Sequence, residues 1–240
     1  MKISIFFSET KESRRCVNIL LRKYYFVSPE KADIFVILGG DGMMLKILHI
    51  YMNTKKFIYG MNCGSIGFLM NKYQEENLFY RLKNAFLLKF HPLFMHVKNY
   101  IGNYYEGLAI NEISLLRKIG QASKICIVIN NKKKLNELVC DGLLVSTPVG
   151  STSYNFSVYG PILSLESDLL VLTFISSSYP YFWKSILLFK DAFIFFHVFE
   201  GLKRPVLAVS DFFEVNNIIS VLIVQDLRSE INILFDSESL

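Results

Sequence analysis

The stretch Asp33-Ile34-Phe35-Val36-Ile37-Leu38-Gly39-Gly40-Asp41-Gly42-Met43-Met44-Leu45-Lys46 constrains the fold more than any other part of the chain. An unbroken apolar run, a glycine turn around one carboxylate, and a second apolar segment read as buried strand, turn and helix. A helix in that position aims unpaired N–H groups and the positive end of its dipole beyond the strand's carboxyl end. Ligands of open α/β sheets dock there. Three glycines clear side chains from around Asp41 and let a ligand approach the backbone. The turn lacks the Lys-Ser/Thr ending of a Walker A loop and the spacing of the dinucleotide-binding glycine fingerprint. Asp41 therefore faces a ligand hydroxyl or a metal, or else caps the following helix.

The same alternation fills the first ninety residues. Strands are expected at 2–7, 34–38 and 57–61, and helices at 11–23, 43–52 and 74–88. Val17, Leu20 and Leu21 share one face of the first helix. Strand and helix in this rhythm make a parallel, Rossmann-like sheet with helices outside. Asp41 and Asn62 then fall on one rim. After His91-Pro92 the pattern turns to short β-branched and aromatic runs, at 94–97, 104–109, 113–117, 124–129, 143–147, 169–174, 186–188, 192–198, 206–210 and 219–224. Such spacing suits an all-β, sandwich-like domain of antiparallel sheets. The chain reads as an α/β N-terminal domain over 1–90 and a β-rich domain over 91–224. Whether 225–240 returns to the first domain is left open.

Composition narrows the function classes. Hydrophobic residues make up 52% of the 240, and the mean hydropathy is +0.33. Yet no apolar run is long enough to span a bilayer. The richest, 186–199, is broken by Lys190 and Asp191. The residues before Glu9 are too few for a signal peptide and read as a first strand, so a cytoplasmic protein without a membrane partner is expected. Cys16, Cys63, Cys126 and Cys140 form no Cys-x-x-Cys pair and have no His at metal-ligand spacing. They read as isolated buried thiols. The net charge of +5 is scattered. Lys132-Lys133-Lys134, between asparagines and Leu135-Asn136, reads as a hairpin tip rather than a nucleic-acid patch. The mild positive balance favours anionic substrates such as nucleotides.

A second constellation is Asp141-Gly142-Leu143-Leu144-Val145-Ser146-Thr147-Pro148-Val149-Gly150-Ser151-Thr152-Ser153-Tyr154-Asn155. A carboxylate precedes an apolar strand, and a hydroxyl-rich turn fixed by Pro148 and Gly150 follows. Its Ser and Thr groups bond either local backbone or the polar edges of a ligand, and Tyr154 offers a flat face to a base. Asn111-Glu112, before the strand at 113–117, pairs an amide with a carboxylate. That pair suits an adenine edge and vicinal ribose hydroxyls.

Four motifs are thus in hand: Gly39-Gly40-Asp41-Gly42, Asn62-x-Gly64-x-x-Gly67-Phe68-Leu69, Asn111-Glu112, and the long run from Asp141 to Asn155. In this order they resemble the bacterial NAD kinase family. The glycine turn alone is shared with diacylglycerol-type lipid kinases and is similar to the phosphofructokinase turn; the long motif separates them. The resemblance implies phosphorylation of the adenosine ribose 2′-hydroxyl of NAD to give NADP. The donor would be ATP or another phosphoryl carrier such as polyphosphate, with Mg²⁺ or another divalent cation. It assigns Asp41 as proton acceptor and brings Gly42 against the ligand through its backbone. Asn111 and Glu112 would hold adenine and ribose groups. Asp141 with Thr152, Ser153, Tyr154, Asn155 and Ser157 would line the dinucleotide cleft, Tyr154 against a base. No residue is assigned to a metal.

The resemblance also implies a homodimer or homotetramer. Tyr179, Tyr181, Phe182, Phe193, Phe195, Phe196 and Phe199 then form core or in part face another subunit. Met43 stands where the family often has Thr, Val139 where it often has Arg, and Val158-Tyr159 where small residues are common. Residues 176–184 lack arginine, and Asp211-Phe212 replaces a common Asp-Gly. The alternatives are a lipid or other small-molecule kinase and a catalytically weak NAD-binding protein.

Overall fold

A computed structural model describes residues 1–64, 67–180 and 184–237. Ser65 and Ile66 of the second motif, and Tyr181 and Phe182 of the aromatic set, lie outside the described residues. Apolar runs and amphipathic segments give β1 (Ile3–Phe7), α1 (Lys11–Lys23), β2 (Ile34–Gly39), α2 (Asp41–Tyr51), β3 (Phe57–Asn62), β4 (Asn71–Lys72), α3 (Leu78–Asn84) and β5 (Phe86–Phe90). There follow β6 (Leu93–Asn99), β7 (Tyr104–Ala109), β8 (Glu112–Arg117), β9 (Ser123–Ile129), β10 (Lys132–Cys140), β11 (Gly142–Ser146) and the short α4 (Tyr154–Ser157). The rest are β12 (Leu169–Ile175), β13 (Ser185–Phe189), β14 (Ile194–Phe199), β15 (Val206–Ser210), β16 (Phe213–Val215), β17 (Ile218–Gln225) and β18 (Ile231–Phe235). Residues 1–90 with 228–240 form one compact unit, and 91–227 the other.

In the first unit the sheet order is β1-β2-β3-β18-β5, with β4 also on β3. β1, β2, β3 and β18 run parallel and β5 antiparallel to β18. All six residues of β2 are buried, as a strand covered on both faces requires. Burying one such side chain, Phe35 for instance, stabilises the fold by roughly 1.5–3 kcal/mol. α1 starts where the Thr10 hydroxyl accepts the Ser13 N–H at 3.2 Å. It buries Ser13, Val17 and Leu20. Leu21, expected on that face, is turned outward and 53% exposed. α2 buries Met44, Leu45, Ile47 and Leu48 and leaves Lys46 exposed. Gly39 lies opposite Asn62 in the register, and the Cys63 N–H donates to the Gly39 carbonyl at 2.9 Å. The carboxyl ends of β2 and β3 thus share one rim.

In the second unit two six-stranded antiparallel sheets run β10-β9-β14-β17-β6-β7 and β13-β12-β11-β8-β15-β16. Strict alternation of burial in β6, β14 and β15 turns one face of each strand inward. Residues from both sheets, among them Met95, Ile127, Phe196, Leu115, Leu143 and Leu172, form one apolar core. The architecture is therefore an α/β unit followed by an all-β sandwich. No helix among the described residues is long and apolar enough to cross a membrane.

Several elements differ from expectation. The helix expected at 43–52 begins at Asp41, with Gly40 in extended backbone as its cap residue. The helix expected at 74–88 is only Leu78–Asn84, because Phe86–Phe90 pairs with β18. A strand partner 141 to 149 residues away overrode a local pattern that also fits a helix. The lysine run is not a hairpin tip: Asn130 and Asn131, at φ 51° and 59°, make the turn, and Lys132–Lys134 lie exposed on edge strand β10. Two left-handed residues match the twist of a tight hairpin, and lysines on an edge discourage pairing with other chains.

Candidate active site

In the first unit Asp41 is the first residue of α2, immediately beyond the rim of β2. Gly40 makes no side-chain cap, and Asp41 does not bond its own helix. Its carboxylate accepts the backbone N–H groups of Phe68 at 2.9 Å and Leu69 at 3.0 Å. An ionised carboxylate has about four acceptor sites, so two N–H groups fix it and leave capacity for a ligand hydroxyl. Gly67 packs closely beside it: a Cβ there would lie 3.0 Å from the Asp41 Oδ1 and would press on the carboxylate. Gly40 and Gly42 are different: a Cβ on either meets nothing within 4 Å. The fold does not demand those two glycines, and the space beside Asp41 is open.

Cys63, at the end of β3, is not an isolated thiol. Its thiol donates to the Met61 carbonyl at 3.8 Å, and burial foremost, then the neighbouring Cys16, pushes it up to about 12. It stays protonated and unreactive. All four cysteines are free.

In the second unit Asn111 and Glu112 sit where the chain enters β8. The Asp211 carboxylate, in the turn between β15 and β16, accepts the N–H groups of Ile110 at 2.6 Å, Asn111 at 3.1 Å and Glu112 at 3.3 Å. From the other side, Thr147 donates through its hydroxyl to the Ile110 carbonyl at 2.7 Å and through its N–H to the Asn111 carbonyl at 2.9 Å. Gly150 packs so closely that a Cβ would stand 2.2 Å from the Asn111 oxygen. The backbone is clamped so that two side chains can project. Asn111 Nδ2 reaches the Ser153 hydroxyl at 3.4 Å. Asn111 Oδ1 and Glu112 Oε2 are buried with no hydrogen-bond partner. Burial, then the Asp211 charge, raises Glu112 to about 8. Tyr154 is raised in turn by burial and then by Glu112. Two buried acceptors without donors call for a ligand that brings its own.

The structure gathers Asn111, Glu112, Ser153 and Tyr154, with Thr152 adjoining them in the chain. Asn155 is instead fully buried and committed to the protein. Its Nδ2 donates to the carbonyls of Ser151 at 3.0 Å and Pro161 at 2.9 Å, and its Oδ1 accepts the Thr173 hydroxyl at 2.7 Å. Ser157 is exposed, its hydroxyl 3.5 Å from the Ser153 carbonyl. Asp141 lies at the other end of β11 from Ser146, which faces Glu112. Five residues of strand put about 16 Å between those ends. Asp141 pairs with Arg117 at 2.6 Å.

Arg117 and Asp211 were not singled out as site residues in the sequence. Asp211 clamps a backbone about 100 residues earlier, and its local signal is only a turn between two strands. The left-handed residue of that turn is Asp211 itself, at φ 47°. Phe212, at the position where the resemblance leads one to expect glycine, is therefore free of backbone strain.

A family model described as the ATP-NAD kinase C-terminal domain matches residues 110–179. The NAD kinase of Rhizobium meliloti (strain 1021) is 45% identical over 231 residues, which cover 96% of this chain and 90% of the relative. The NAD kinase of Brucella suis biovar 1 (strain 1330) is 48% identical over 229 residues, 95% of this chain and 89% of the relative. Among solved structures, yeast NADH kinase complexed with NADH superposes with a TM-score of 0.82 at 19% identity, covering 99% of this chain and 84% of the other. An NAD kinase from Archaeoglobus fulgidus in complex with ATP gives 0.75 at 22% identity, covering 100% and 95%. The two structures speak for the fold; the two bacterial sequences, matched nearly end to end, speak for descent. This chain is an enzyme that belongs to the NAD kinase family.

Proposed function

We propose that this enzyme transfers the γ-phosphoryl group of ATP to the 2′-hydroxyl of the adenosine ribose of NAD, giving NADP. Asp41 carries the reading: a carboxylate held by two N–H groups beside a helix start, on a glycine rim that the fold itself leaves open. The ribose oxygen bonds to the γ-phosphorus as the bond from that phosphorus to the β,γ-bridging oxygen breaks. ADP leaves, and the hydroxyl proton passes to Asp41 and then to solvent. A sugar hydroxyl is a far weaker acid than a carboxylic acid, so Asp41 orients it first and takes its proton late, as a loose phosphoryl transition state allows. Such help is typically worth about 10²–10⁴-fold in rate.

Asn111 Oδ1 and Glu112 Oε2 supply the acceptors that an adenine amino group and a ribose hydroxyl would satisfy, with Tyr154 against the base. Thr152, Ser153, Ser157 and Asp141 keep the binding roles implied by the resemblance, whereas Asn155 shapes their segment from within the protein. Among the described residues no three His, Cys, Asp or Glu side chains converge into a metal cage. In this reading the divalent cation comes in with the substrate, carried on the phosphates of ATP. The support for the nucleotides is that the archaeal relative was crystallised with ATP and the yeast relative with NADH. A homodimer or tetramer is part of the reading, supported by Leu187 and Phe189, exposed on edge strand β13. Light scattering on the purified protein tests it.

The central experiment is a coupled assay for NADP formed from NAD, ATP and Mg²⁺, with Asp41→Asn alongside. The variant should bind NAD near normally and lose about 10²-fold or more in turnover. Turnover at the parent rate refutes the role of Asp41.

A further inference from the structure

We propose that Asn71, Asp236 and Arg81 are positioning residues for Asp41, so that the segment following β18 controls the orientation of the carboxylate that follows β2, two strands away in the sheet. The proposal rests on Asp41 being the proton acceptor.

A carboxylate flanked by glycines has no neighbouring side chains to hold its rotamer. Asp41 is aimed instead by the N–H groups of Phe68 and Leu69, and its aim is only as good as the placement of that backbone. Leu69 and Met70 are buried. Met70 fills the space left by Gly60, where a Cβ would come 2.5 Å from its sulfur. The next residue, Asn71, is fully buried at the seam where β4 and β18 share the same side of β3. Its Nδ2 donates to the carbonyls of Gly60 on β3 at 3.0 Å and Leu234 on β18 at 3.1 Å, and its Oδ1 accepts the Asp236 N–H at 2.7 Å.

The Asp236 carboxylate then accepts Arg81 Nη2 at 2.5 Å and the Tyr59 hydroxyl at 2.8 and 2.9 Å. Arg81 also reaches back to the carbonyls of Lys72 at 3.2 Å and Gln74 at 2.9 Å. The backbone from Leu69 to Gln74 is thus held by burial and by these bonds, and it begins at one of the two donors to Asp41, Leu69, and directly follows the other, Phe68. Arg81 and Asp236 are nearly buried, which makes the clamp rigid rather than a passing surface contact.

Asp236→Asn, Tyr59→Phe and Asn71→Ala test this, in otherwise complete protein shown to be folded by circular dichroism and assayed well below its melting temperature. Asp236→Asn and Asn71→Ala should lower kcat about tenfold or more with the KM for NAD within about twofold, because a misplacement of ~1 Å can cost ~10²-fold. In an Asp41→Asn background the same changes should lower kcat no further. Amide hydrogen exchange at Phe68 and Leu69 should quicken in Asp236→Asn. If Asn71→Ala does not fold, Asp236→Asn and Tyr59→Phe carry the test, since both keep side-chain shape. An undiminished kcat, an equal loss in both backgrounds, or unchanged exchange at both amides overturns the proposal. A parent rate in Asp41→Asn strikes the proton-acceptor reading instead, and the exchange measurement separates the two failures.

Discussion

Glu112 changes charge within the working pH range, since burial and the neighbouring Asp211 raise it to about 8. The sign follows directly. A carboxyl raised above its unfolded value favours the protonated fold, so its contribution to stability is greatest below the usual carboxylate range and is lost as pH rises toward 8. A ligand hydroxyl or amine donating to Glu112 favours the ionised form instead. NAD affinity should therefore rise with pH from 6 to 8, by up to about tenfold per unit, and level off above. Calorimetric titrations at several pH values check this, with Glu112→Gln expected to flatten the profile. Asp211 and Tyr154 are the other titratable groups facing Glu112, and the same flattening attributes the effect to Glu112 rather than to them.

At the level of elements, two glycines with the same letter in the sequence carry opposite expectations. Gly42, in the first turn of α2, has open space where a Cβ would go. Gly42→Ala should raise stability by up to about 1 kcal/mol through helix propensity, yet lower turnover by filling the space a ligand needs. Gly150→Ala would press on the Asn111 backbone and should cost about 1–3 kcal/mol, with a raised KM for NAD. Melting curves and kinetics of both variants check the pair. The contrast also shows what the sequence could disclose. Strand, turn and helix around Asp41 are consecutive, so their order is readable from local pattern alone. The N–H groups that hold Asp41 come from a loop 27 residues on, and the Asp211 clamp spans about 100 residues. No periodicity encodes such meetings. β5 failed for the same reason, because the residues that make it a strand are in β18.

At the scale of the molecule, the placement of β18 between β3 and β5 makes the last segment a central part of the first unit. All five of its residues are buried. Its four apolar side chains, at roughly 1.5–3 kcal/mol each, amount to about 6–12 kcal/mol, comparable with the whole stability of a domain. Ending the chain at residue 227 should therefore unfold the first unit. Limited proteolysis of that variant should digest residues 1–90 and leave a resistant core near 91–227. On the ribosome, the same arrangement inverts the usual order of completion. The β-rich half has all its strands once residue 225 has emerged, whereas the half translated first must wait, its sheet unfinished and the edge of β3 uncovered, until residues 231–235 have emerged to close it.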